Sequence, residues 1–154
     1  MCRARVQTVS SEHVIGAALL AFAQNRVRPA IVVYPEGSDY LDVQDCKEFL
    51  MGRDAMTIAL DHELWKKQEC LSFLTTEAYE HFAPIFLVNA VVYDSTDLPE
   101  VLVLSILNYL KIRGDKPDYL VALFVLYLQH LCASGGDYGR EQQRVNELIA
   151  AGSP

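Results

Sequence analysis

The chain has 154 residues, 51% of them hydrophobic and 21% charged, with a formal net charge of −7. That length suits one domain with a sizeable core, and a half-apolar composition excludes disordered and low-complexity classes. The acidic balance argues against nucleic-acid binding, which needs a cationic surface to meet phosphates.

Residues 1–9 read as a flexible N-terminus. The first predicted helix takes Ser10 or Ser11 as its N-cap and runs to about Asn25, because Val14, Ile15, Ala18, Leu19 and Phe22 recur at helical spacing. Pro29 stops it. Ile31, Val32 and Val33 are β-branched and lead into turn chemistry from Pro35 to Asp39, so residues 30–41 read as an extended loop or short strand. Asp42 and Asp45 open a helix in the manner of a capping box, through Cys46, Phe49 and Leu50, with Gly52 as its stop. Asp61 caps the next, with Glu63 in its first turn and Leu64, Trp65, Gln68 and Leu71 along it. Thr75 or Thr76 then caps a longer helix through EAYEHFAPIFLVNAVV, where Pro84 predicts a kink.

Two later starts rhyme. Asp97-Leu98-Pro99-Glu100 and Asp115-Lys116-Pro117-Asp118 each put a cap, a first-turn proline and a carboxylate before an apolar run. The helices they open, about 98–111 and 117–133, read as a buried pair. Gly135-Gly136 breaks the chain, Asp137 to Ala150 forms a polar closing helix, and residues 151–154 read as a flexible C-terminus. The expectation is all-α: one domain over 1–154, with six or seven helices. The most apolar run, Tyr119 to Cys132, is shorter than the roughly 20 residues of a bilayer span, so no membrane segment is expected.

Tests for chemistry come back thin. Cys2, Cys46, Cys70 and Cys132 form no CxxC pair, and without a leader sequence they read as free thiols in a reducing cytoplasm. His62-Glu63 begins like a zinc-protease helix, but Lys66 stands where the second histidine belongs. Glu77 and His81, four apart, read as a surface ion pair, and His130 as a partly buried polar residue. There is no GxSxG, GxGxxG or P-loop text. No catalytic residue, metal ligand or cofactor is assigned.

Charge by segment says more. Residues 1–35 sum to +3, whereas 36–63 sum to −6. A one-sign stretch steers an oppositely charged partner, and aromatic residues beside it suit a protein interface. Tyr34, Glu36, Asp39, Tyr40, Asp42, Asp45, Glu48, Asp54, Asp61, Glu63 and Trp65 are therefore the candidate partner interface. The plainer role for the carboxylates is to cap helices and keep the protein soluble.

The central segment, with Leu71, Ser72, Phe73, Leu74, Thr75, Glu77, Ala78, Tyr79, Pro84, Phe86 and Leu87, resembles a bacterial family of unknown function. Ala21-Phe22, Arg28-Pro29, Phe49-Leu50 and Gly52 extend the likeness, while Thr76 departs from the family's proline. The resemblance implies no activity or catalytic residue. Small acidic bacterial proteins of this kind are often neighbours of toxins, an association without a mechanism. The functional expectation is a cytoplasmic, non-catalytic immunity protein that occludes a basic toxin domain. The alternatives are a small hydrolase or transferase using carboxylates with His62 or His81, or a helical scaffold.

Overall fold

In a computed structural model of the chain, residues 10–24, 41–51, 53–93, 98–112 and 117–151 are described, and their regular structure is helical throughout. The elements are α1 (Ser11–Gln24), α2 (Leu41–Met51), α3 (Ala55–Ala59), a 3-10 turn (Leu64–Lys67), α4 (Cys70–Phe73), α5 (Thr76–Tyr93), α6 (Leu98–Ile112), α7 (Asp118–Ala133) and α8 (Gly139–Ala151). The all-α expectation holds, with eight helices among the described residues where six or seven were expected. One hydrophobic core runs from Val14 on α1 to Val145 on α8.

The fold is organised by α5. Its residues are apolar on nearly every side, so no face can be left to water, and Ala78 to Ala90 are buried without interruption. Thr75 starts it: the Thr75 Oγ1 accepts from the Ala78 N–H at 3.2 Å, which satisfies one of the orphan donors of the first turn. Thr76 is thereby the first helical residue, a position that also suits proline. Helix α1 packs along α5 through Val14, Ala18 and Ala21, and the two alanines permit a close approach. Pro84 stands inside α5, where it has no N–H to donate to the carbonyl four residues before it.

The later helices depart from the buried pair expected of 98–111 and 117–133. Each of α6 and α7 has exposed positions, such as Leu104 and Ala122, and both lean on α8. They meet at one ring contact, Tyr109 against Phe124 at 5.9 Å, and Tyr79 of α5 stacks on Tyr109 at 5.1 Å. The Tyr109 hydroxyl donates to the buried Glu80 carboxylate at 2.6 Å. At the start of α7 the N-cap is Pro117, in extended conformation, so this proline precedes the first turn instead of standing in it.

The end of α7 follows its glycines. Gly136 N–H reaches the Leu131 carbonyl and Gly135 N–H the Cys132 carbonyl, the paired bonds of a Schellman motif. Gly135 takes φ of 92°, a conformation that L side chains rarely adopt. Gly136 has no room either, since a Cβ there would lie 2.8 Å from the Tyr138 ring.

Further expectations need correction. The single helix expected from Asp61 onward divides into the 3-10 turn and α4, and the short α3 precedes it; these account for the higher count. The described cysteines are not free thiols. Cys46 and Cys70 form a disulfide between α2 and α4, with Cα atoms 5.4 Å apart, and Cys132 is disulfide-bonded as well. Their 24-residue separation carries no pairing signal, because tertiary packing of α2 on α4 is what brings them together. Residues 1–9, the strand-like text at 30–40 and residues 152–154 lie outside the described residues. Leu41 begins α2, and Ala151 closes α8 instead of opening a flexible tail. No described helix is long and apolar enough to cross a membrane.

Candidate interaction surface

Of the expected interface residues, Tyr34, Glu36, Asp39 and Tyr40 lie outside the described residues. Asp42 falls in the first turn of α2. Asp45 and Glu48, three apart on α2, are both exposed. Beyond α2 the carboxylates have structural work. Asp54 is the N-cap of α3, accepting from the Met56 N–H at 3.2 Å. Asp61 accepts from the Glu63 N–H at 2.9 Å and from the Arg53 guanidinium at 2.8 Å. These two bonds hold its carboxyl below the usual carboxylate range, the backbone bond contributing most. Glu63 is similarly lowered by the Lys66 ammonium, 2.6 Å away and fully at the surface.

Cations therefore fold back over this side of the molecule. Arg53 lies 4.7 Å above the Phe49 ring of α2 and Lys67 lies 5.7 Å from the same ring. Lys66 sits 5.7 Å from the Trp65 ring while it pairs with Glu63. With the disulfide, these contacts tie α2, α3 and the 3-10 turn to one side of the fold. The −6 of residues 36–63 stops just short of Lys66 and Lys67, so the folded surface is less acidic than that window.

The sequence reading missed an apolar patch beside these charges. Leu60 is 53% exposed, Met56 42%, Val92 43% and Tyr93 41%. Leu60 follows α3, one turn from Met56, and its carbonyl accepts from the Tyr93 hydroxyl at the end of α5. His62 stands edge-on to the Tyr93 ring at 6.4 Å. The patch is held from below by Asn89. This amide, 1% exposed, donates to the carbonyls of Ala59 at 2.9 Å and Asp61 at 2.7 Å, closing the end of α3 on α5. A lone asparagine within the apolar LVNAVV text was the available signal for it.

The histidines do not converge. His81 is 2% exposed, packed between Phe22 at 5.1 Å and Phe82 at 4.6 Å, so it is a core residue and not half of a surface ion pair. Tyr93, which His62 faces, lies twelve residues further along α5, about 18 Å at the helical rise. His130 is half-buried in the last turn of α7. Among the described residues, no three of His, Cys, Asp and Glu gather as a metal site would require. Searches of protein-family models, curated proteins and solved structures find no match to this chain.

Proposed function

We propose that the chain is a non-catalytic protein-binding domain, an immunity protein that neutralises a cognate bacterial toxin domain by covering it. The observation that carries this reading is the exposed pair Leu60 and Tyr93, joined by the Tyr93 hydroxyl, with exposed Met56 one turn before Leu60 and the Asp61 and Glu63 carboxylates just after it in the chain. Contiguous exposed apolar side chains rimmed by charge are the anatomy of an interface, and Tyr and Trp are its usual anchors. Asp45, Glu48 and Asp54, which make no ion pair among the described residues, supply negative potential toward a basic partner. The resemblance of the Leu71–Leu87 segment to a bacterial family of unknown function agrees with this reading without adding an activity to it.

The disulfides redirect the compartment. Free thiols were the ground for a cytoplasmic reading, and bonded cysteines belong to oxidising surroundings such as a periplasm or the cell exterior. The proposed partner is accordingly a toxin domain met outside the reducing cytoplasm.

The test is protection of cells by this chain against the toxin domain encoded beside it. Leu60→Arg and Tyr93→Ala, both at exposed positions, should abolish protection while leaving the thermal melt within a few degrees of the parent. Protection that survives both changes refutes the surface, and failure of the parent chain to protect refutes the function.

A further inference from the structure

At the N-terminal end of α5, about 21 Å along the helix from Tyr93, a groove of about 520 Å³ opens between α4, the first turns of α5, and α6. That volume is in the range of small-molecule sites. Its walls are Leu71, Leu74, Val101 and Leu104, and Leu104 at the lip is 61% exposed, an unusual position for a leucine. None of the described lining residues is charged, in a chain where 21% of residues are. A charged ligand would be desolvated there with no countercharge among the described residues.

The polar floor has a definite donor and acceptor sense. The Ser105 hydroxyl donates to the Leu102 carbonyl at 2.7 Å, and its Oγ lies 2.8 Å from the Tyr79 Oη. A hydroxyl has one proton. With the Ser105 proton committed to Leu102, Tyr79 must be the donor to Ser105. Both protons then point away from an incoming molecule, and what remains on these two oxygens is acceptor capacity. Tyr79 is 5% exposed, and burial pushes its hydroxyl well above the ordinary phenol range, so it stays protonated and keeps this polarity.

We propose that the groove binds an uncharged, mainly apolar small molecule that carries a hydrogen-bond donor, such as an aliphatic alcohol, with the donor on the Tyr79–Ser105 floor. A carboxylate of the same length is disfavoured, because the described lining offers its charge only the neutral donors of Ser72, Thr76 and Asn108 and no cation. An ether of the same length enters but loses one hydrogen bond, which is worth about five- to tenfold in affinity.

The probes are 1-decanol, decanoate and a methyl ether of matching length, titrated into the full chain and followed by amide shifts in two-dimensional NMR. The expected result is saturable binding of the alcohol with shifts at Leu71, Tyr79 and Val101, weaker binding of the ether, and the weakest binding by decanoate. Leu104→Asp, at an exposed position, should abolish binding with the rest of the spectrum unchanged. Tyr79→Phe should bring alcohol and ether closer together. No saturable binding by the alcohol, equal binding of decanoate, or alcohol binding that persists in Leu104→Asp overturns the proposal. Because the groove is separate from the Leu60–Tyr93 patch, a failed toxin-protection assay leaves this result standing.

Discussion

The Cys46–Cys70 disulfide ties α2, through α4, to the rest of the core, and its loss should be costly. It closes a loop with a sequence separation of 24. Constraining the unfolded chain over such a loop is worth about 3.5 kcal/mol at room temperature. In a domain of this size each kcal/mol moves the melting temperature by about 2–4 °C, so the bond should carry about 7–14 °C. Replacing both cysteines by alanine isolates it from the disulfide at Cys132. Both sulfurs are buried, so the pair also loses packing of about 1 kcal/mol per side chain, and the variant's shift should exceed that of the loop constraint alone. The assay is a thermal melt of the parent chain, oxidised and reduced, beside the double variant. Alkylation under denaturing, non-reducing conditions followed by mass spectrometry reads the bond itself. Unmodified Cys46 and Cys70 with a large drop in melting temperature are expected. Quantitative alkylation of both, or coincident melts, would refute the reasoning and with it the argument for an oxidising compartment.

Three further outcomes test the interior and the charged face. Asn89→Ala should cost about 2–3 kcal/mol in denaturant unfolding, because the Ala59 and Asp61 carbonyls lose their buried donor. Tyr127→Phe should be neutral or stabilise by about 1 kcal/mol, since the Tyr127 hydroxyl is buried without a partner; a loss above that amount would show that the hydroxyl is satisfied in solution. The lowered Asp61 pKa contributes stability that is present above the ordinary value of 3.8 and is lost as pH falls through the folded value. Arg53→Ala should therefore raise the Asp61 pKa toward 3.8, read by NMR titration, with its stability penalty shrinking in acid; an unmoved pKa would refute the pairing.

How far the sequence was legible depended on whether a signal was local. The α7 terminus was readable because Gly135-Gly136 supplies both residues that a Schellman ending needs, and the first helix because its apolar spacing is regular. Asp61 was read as the cap of a helix; its carboxylate accepts from the Glu63 N–H in the turn ahead, Glu63 itself is the N-cap of the 3-10 turn, and the expected helix breaks at Gln68 and Glu69. Local propensity does not separate a 3-10 turn from the start of an α-helix, and tertiary packing decides between them. His81 was misread as a surface group because it was paired with Glu77 by spacing alone. The text Phe82 to Val88 is apolar around the whole helix, so no solvent face was left for His81 to occupy. The disulfide had no sequence signal apart from the presence of the cysteines.

The same distinction bears on what would drive association. Counted to Lys67, the stretch from residue 36 holds eight carboxylates against four bases, and Arg53 and Lys66 are bonded directly to Asp61 and Glu63. Charges paired at contact distance present a dipole to a distant partner, and a dipole steers less than a bare charge. What steering remains comes chiefly from Asp45, Glu48 and Asp54 among the described carboxylates of this face. The apolar side chains are a different matter, because Leu60 and Tyr93 lose water only on contact and so act on dissociation more than on approach. Raising the salt from 0.1 M to 1 M shortens the screening length from about 10 Å to about 3 Å, and should slow binding of the toxin domain while leaving its release little changed. Leu60→Arg should do the reverse, speeding release, and Asp45→Lys with Glu48→Lys should reproduce the effect of salt at low ionic strength.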